Sequence, residues 1–119
     1  MSGYIAVDLD GTLAIYTRWK ADGSIGEPIP KMLERVRKWI SQGKEVRIMT
    51  ARVSSSGRDG DGEAFVLNQR RLIEAWCLKY IGVILPITCE KDYRMYELWD
   101  DRAVQIIRNT GIALDPKRN

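Results

Sequence analysis

The feature that most constrains this chain is the stretch Tyr4 to Leu13, Tyr-Ile-Ala-Val-Asp-Leu-Asp-Gly-Thr-Leu. A short apolar run, Ile5 to Val7, has the character of a buried strand, and it stops abruptly at Asp8 and Asp10 with Gly11 behind them. Gly11 can adopt the positive φ that a sharp exit from a strand requires, so both carboxylates can be turned towards one point. Asp-x-Asp-Gly also serves in ordinary turns, because Asp bonds its own backbone and Gly tolerates left-handed geometry. The rest of the chain decides between the two readings.

Its 119 residues predict one domain able to bury roughly two thirds of the unfolded surface in a single core. With 45% hydrophobic and 29% charged residues, and no apolar stretch near the ~18 residues of a membrane span, a globular protein is expected. Neither a secretory signal nor membrane contact is predicted. Cys77 and Cys89 show neither paired spacing nor nearby histidine, which favours a reduced, cytoplasmic location. The complete lack of histidine excludes Ser-His-Asp hydrolysis and His-ligated zinc, leaving carboxylates, Lys, Arg, Ser, Thr and Tyr for any chemistry. A net charge of +3 permits polyanion binding without requiring it.

After the first strand, Ala14 to Pro30 lacks a clear period and reads as an irregular flap over the strand tip. Pro30 suits a helix start, and Met32, Leu33, Val36, Trp39 and Ile40 then fall on one helical face up to the stop signal Gly43. A strand at Glu45 to Met49 runs into Thr50, Ala51 and Arg52. Val53 to Gly62, rich in Ser, Gly and Asp, predicts a mobile loop without calcium-loop spacing. Glu63 to Tyr80 is the longest helical pattern. Val83 to Thr88 is a third strand candidate whose second half Pro86 demotes to an edge or bend. A fourth strand, Tyr96 to Trp99, ends at Asp100, Asp101 and Arg102. A short helix over Ala103 to Asn109 and a fifth short strand at Ile112 to Leu114 complete the reading.

Alternating strands and helices predict an α/β fold, a three-layer Rossmann-like domain with a mainly parallel central sheet and helices on both faces. Ligands in such folds bind outside the carboxyl ends of the strands. Asp8 and Asp10, Thr50 and Arg52, Lys91, and Asp100 and Asp101 each follow a different expected strand, so four segments should converge on one crevice.

This arrangement resembles the haloacid dehalogenase superfamily of phosphotransferases over nearly the whole chain. Asp8-Leu9-Asp10-Gly11-Thr12 resembles the first motif of that family, Thr50 the second, Lys91 the third and Asp100-Asp101 the fourth. The resemblance implies a Mg²⁺-dependent phosphomonoester hydrolase with Asp8 as nucleophile, forming an aspartyl-phosphate, and Asp10 as general acid and base. It also implies that Asp100 and Asp101 hold Mg²⁺ together with Asp8 and the backbone carbonyl of Asp10, and that Thr50 and Lys91 bind the phosphoryl oxygens. Arg52 is a candidate substrate contact, and the connection from Lys91 to Asp100 is shorter than family members often have. Neither connection around the motifs has room for a large cap, so an open site is expected. Thr-Ala-Arg at Thr50 to Arg52 and Asp-Asp-Arg at Asp100 to Arg102 further resemble the phosphatase domain of polynucleotide kinase. The expected partner is therefore a small phosphorylated metabolite, a nucleotide or a nucleic-acid 3′ end. The rival expectation is an inactive binding module that keeps the fold.

Overall fold

The computed structural model describes residues 3–119. Four parallel strands form one sheet in the order β3-β2-β1-β4: β1 Tyr4–Asp8, β2 Val46–Met49, β3 Ile87–Thr88 and β4 Met95–Trp99. Two helices, α1 Pro30–Ser41 and α2 Gly62–Tyr80, connect β1 to β2 and β2 to β3. The α/β class and the parallel sheet match the sequence reading.

Local chemistry explains where the elements begin. Pro30 occupies the start of α1, where its missing N–H would have no helical partner in any case. Asp61 caps α2, its carboxylate accepting the Ala64 N–H at 3.0 Å. In register, Ile5 lies beside Val46 and Glu97, and Val7 beside Ile48 and Trp99. Ile5, Val7, Val46 and Ile48 pack in one cluster with Met32 and Val36 of α1 and Ile73, Trp76 and Cys77 of α2. Burying such side chains contributes about 1.5–3 kcal/mol each, which makes this face the main source of stability.

Both helices thus cover the same face. Two successive right-handed crossovers that step the same way across a sheet place their helices on one side. The chain then reverses and returns to the other flank of β1 to form β4, and residues 89–94 make that return without a helix. Tyr4, Ala6, Arg47 and Leu98 share the opposite face by alternation and register. Helices on both faces, the third layer of the expected arrangement, are not present among the described residues.

Three further expectations are corrected. Residues 103–109 form no helix; Val104, Ile106 and Ile107 are β-branched and join a small hairpin, closed by an isolated bridge between Ile106 and Ala113. Its turn places Asn109 at φ 65° and Gly111 at φ 70°, conformations that end a helix. The expected fifth strand at Ile112 to Leu114 is the second arm of this hairpin. In the third strand the paired part is the half after Pro86: the proline carbonyl accepts the Ile48 N–H at 2.9 Å, and its lack of an N–H does no harm at a strand start.

Candidate functional site

The strand order reverses at β1, because β2 lies on one side of it and the returning β4 on the other. A crevice opens at such a point, beyond the carboxyl ends of the strands. It measures about 240 Å³ and is lined by Asp8, Asp10, Thr50, Arg52 and Asp101, with Tyr16, Trp19, Arg58 and Arg102 around them.

The loop after β1 is built to admit an acid from β4. Gly11 sits at φ 90°, and a Cβ there would come within 2.5 Å of Asp101 Oδ2. Any other residue would push the aspartate away. The Thr12 hydroxyl lies 3.3 Å from both Asp8 Oδ2 and Asp101 Oδ1, and accepts the Asp101 N–H at 3.0 Å. Asp100 accepts the Arg102 N–H at 2.7 Å, which fixes the turn beyond β4. Asp8, Asp100 and Asp101 each present a carboxylate oxygen within 4.8 Å of the others. Burial, a hydrogen bond with Asp101 and the charges of Asp100 and Asp101 together push the Asp8 carboxyl up to about 7.

Three carboxylates on adjoining strand ends are a hard-oxygen donor set that suits a divalent cation such as Mg²⁺. The close approach allowed by Gly11 and the destabilised charge on Asp8 fit the same group. Asp10 stands apart from this trio. Its Oδ2 accepts from Arg52 Nε at 2.7 Å and its Oδ1 from the terminal Nη2 at 2.9 Å, a bidentate ion pair. As a metal ligand it is therefore left with its backbone carbonyl, the atom that the family resemblance names.

Arg52 is buried, at 4% exposure. Besides the two bonds to Asp10, its Nη1 donates to the Gly23 carbonyl at 2.6 Å and to Gln69 Oε1 at 2.8 Å, and its Nη2 to the Ser24 carbonyl at 3.2 Å. The Trp19 ring centroid is 4.8 Å from its guanidinium carbon. All five N–H groups are occupied, so the residue expected to contact phosphate instead ties the flap and α2 to Asp10.

Thr50 is buried at the end of β2, where its hydroxyl accepts the Arg52 N–H at 3.2 Å and starts a 3-10 turn over Ala51–Val53. Its own hydroxyl hydrogen stays available towards the crevice. Lys91 lies on the return loop and lines a neighbouring groove with Asp100 and Trp99, not this crevice. Of the expected residues, Asp8, Asp10, Thr50, Arg52 and Asp101 share the crevice, Asp100 joins through the carboxylate trio, and Lys91 does not join them.

Three contributors were not singled out from sequence as site residues: Thr12, Tyr16 and Gln69; Arg58, which the sequence places among basic residues near the mouth suited to a phosphodiester chain, lines the crevice. Gln69 carried a signal, since it falls on the α2 face of Ile73, Trp76 and Cys77, where an apolar residue is the rule. A buried amide at such a position marks a buried charge in need of an acceptor. Arg58 pins the segment after Val53 by donating to the Ser54 carbonyl at 2.9 Å and the Ala51 carbonyl at 3.1 Å, and stacks 3.8 Å from the Phe65 ring centroid. No helix among the described residues is long and apolar enough to cross a membrane. Comparison with family models, with curated proteins and with solved structures finds no match to this chain.

Proposed function

We propose that this protein is a Mg²⁺-dependent phosphomonoesterase that works through an aspartyl-phosphate on Asp8. The observation that carries the reading is the meeting of Asp8, Asp100 and Asp101, from the ends of two adjacent strands, within 4.8 Å at the point where the strand order reverses. A bound divalent ion would offset the repulsion among these acids, return Asp8 to its ionised form and draw charge from the phosphoryl group. One Asp8 oxygen then attacks phosphorus as the bond to the leaving oxygen breaks, and Asp10, after giving up one Arg52 bond and taking a proton from solvent, passes that proton to the leaving oxygen. In the second half Asp10 takes a proton from water, the water oxygen bonds to phosphorus, and the bond to Asp8 is released. Both Asp10 oxygens are held by Arg52, so proton transfer requires one of those bonds to be exchanged for the substrate or water oxygen. Thr50 and Arg102, on opposite sides of the crevice, suit the phosphoryl oxygens.

A second observation narrows the substrate. Tyr16 and Trp19, both about half exposed, line the same crevice as Asp8 together with Arg58 and Arg102. Flat aromatic surfaces beside cationic groups favour a phosphate attached to a nucleobase, as a free nucleotide or a nucleic-acid 3′ end.

The test is hydrolysis of an aryl phosphate with and without Mg²⁺ by the wild type and Asp8→Asn. The expected result is Mg²⁺-dependent release of phosphate, reduced at least 10³-fold in the variant, as for loss of a covalent nucleophile. Equal rates in the two proteins would eliminate the hydrolase reading and favour an inactive binding module. Phosphate release from 3′-phosphorylated oligonucleotide, nucleotides and sugar phosphates then ranks the substrates; indifference to the base removes the nucleotide reading.

A further inference from the structure

The flap between β1 and α1 encloses a second, smaller cavity beside the crevice. It measures about 170 Å³, and Asp10, Tyr16, Thr17, Arg18, Lys20 and Glu27 contribute to its lining. Asp10 and Tyr16 line both cavities, whereas Asp8, Thr50 and Asp101 line only the crevice. Pockets that hold a whole small molecule usually measure about 300–1,000 Å³. Neither cavity reaches that size alone; joined across Asp10 and Tyr16, they do.

The walls of the small cavity are held from several sides. The two arms of the flap meet where the Ile15 N–H donates to the Glu27 carbonyl and the Ile29 N–H to the Leu13 carbonyl, both at 2.8 Å. A Cβ on Gly26 would come within 2.1 Å of the Ile15 carbonyl oxygen, so the arms approach this closely only with glycine there. Trp76 donates to the Gly26 carbonyl at 2.9 Å, Arg52 to the Gly23 and Ser24 carbonyls, and the Trp19 ring lies 6.0 Å from that of Phe65. The charges on these walls do not balance. Asp10 is paired with Arg52, and Glu27 Oε2 accepts the Tyr80 hydroxyl at 3.1 Å. Asp22, the other acid of the flap, accepts the Ser24 N–H at 2.9 Å and does not line the cavity. With Asp10 offset by Arg52, two cations, Arg18 and Lys20, stand against the one acid Glu27. Both cations are exposed, and neither belongs to an ion pair among the described residues.

We infer that the flap cavity receives a second phosphate, carried by the alcohol that leaves. The inference rests on the phosphomonoesterase reading for its direction. Attacking and leaving oxygens lie roughly in line across phosphorus, so with Asp8 as nucleophile the alcohol departs on the side of Asp10, the acid that the two cavities share. A sugar at that point carries its base against Tyr16 and Trp19 and its other phosphate to Arg18 and Lys20. The Arg18 guanidinium can hold two phosphate oxygens at once, and Lys20 adds a point charge. The substrate class thereby narrows to a nucleoside phosphorylated at two positions of its sugar, or to a phosphorylated strand end whose first diester is the second phosphate. A nucleoside monophosphate leaves the two cations without a partner.

Binding is measured by titration calorimetry on the full chain carrying Asp8→Asn, in Mg²⁺ and at low salt, so that no turnover is required. Adenosine 3′,5′-bisphosphate is expected to bind about tenfold more tightly than either the 3′- or the 5′-monophosphate, the scale of two exposed charge contacts. The advantage should vanish when Arg18→Gln and Lys20→Gln are added together. It should persist with Lys44→Gln, an exposed cation just before β2, at the other end of the sheet. A 3′- or 5′-phosphorylated dinucleotide that matches the bisphosphate identifies a strand end as the source of the second phosphate; dinucleotides that bind like the monophosphates identify the free nucleotide. Equal affinity for bisphosphate and monophosphates, or an advantage that survives the double substitution, overturns the proposal. Hydrolysis of an aryl phosphate by the wild type keeps the two readings apart. Turnover without a bisphosphate advantage removes the second-phosphate subsite alone, and an advantage without Mg²⁺-dependent turnover removes the hydrolase alone.

Discussion

Replacing Arg52 by alanine tests the architecture of the crevice most directly. The substitution removes five hydrogen bonds from a buried guanidinium, two of them to a partly buried carboxylate at 2.7 and 2.9 Å. It leaves Asp10 as an unpaired charge and strands Gln69 and the Gly23 carbonyl. Breaking a buried pair in this way typically costs about 3–5 kcal/mol. Total stability for a domain of this size is about 6–15 kcal/mol, so the loss takes about a fifth of it or more. At roughly 3–5 °C per kcal/mol, the midpoint of thermal unfolding should fall by about 9–25 °C. Arg52→Lys keeps the charge but cannot form the two-pronged bond, and should lose about half as much. Asp10→Asn leaves the guanidinium its three carbonyl-type acceptors and should cost about 1.5–3 kcal/mol. Chemical denaturation of wild type, Arg52→Ala, Asp10→Ala and the double variant gives the coupling, expected at 2 kcal/mol or more. A loss below 1 kcal/mol for Arg52→Ala, or additive single effects, would refute the assignment of Arg52 as the buried tie between flap, α2 and Asp10.

Gly11→Ala combines a left-handed φ of 90° with a Cβ 2.5 Å from Asp101 Oδ2, so it should destabilise by about 1–3 kcal/mol and weaken Mg²⁺ binding by displacing Asp101; titration calorimetry showing wild-type affinity would contradict the crowded approach of the two loops. Since the folded state holds the Asp8 proton up to about pH 7, whereas the unfolded chain releases it near 4, metal-free stability should decline as pH rises between these values. Mg²⁺ at 100 times its Kd adds about 2.7 kcal/mol at pH 8, on the order of 10 °C, and distinctly less at pH 5. A melting temperature that rises from pH 5 to pH 8 without metal, with an equal Mg²⁺ effect at both, would argue against a coupled carboxylate trio.

The parts legible from sequence were those governed by local rules. Apolar runs ending in polar residues located β1, β2 and β4, and one-faced periodicity with Pro30 and Gly43 at the ends located α1. The acids could be grouped because parallel strands deliver their carboxyl ends to one edge. The segment after Asp101 was misread because Ala103 to Asn109 has helix-compatible spacing, while its β-branched residues and the left-handed Asn109 favour a hairpin. The role of Arg52 was hidden for a different reason. Its acceptors come from Asp10, Gly23, Ser24 and Gln69, on three separate segments, and a buried arginine cannot be told from a surface one until those segments meet. Lys91 was grouped with the acids by its position after an expected strand, but β3 is only two residues long and the chain has turned away before that lysine.

The pairing of β1 with β4 also bears on how the protein is made. Thr12 and Asp101 are 89 positions apart, so at usual rates of synthesis about 5–20 s pass between the emergence of one and the other. Throughout that interval the central strand of the nascent chain has one flank bare, because β4 has not yet been made. Any truncated product lacking the last twenty residues keeps most of the helical core but loses the acids of the fourth strand's exit, together with the hairpin.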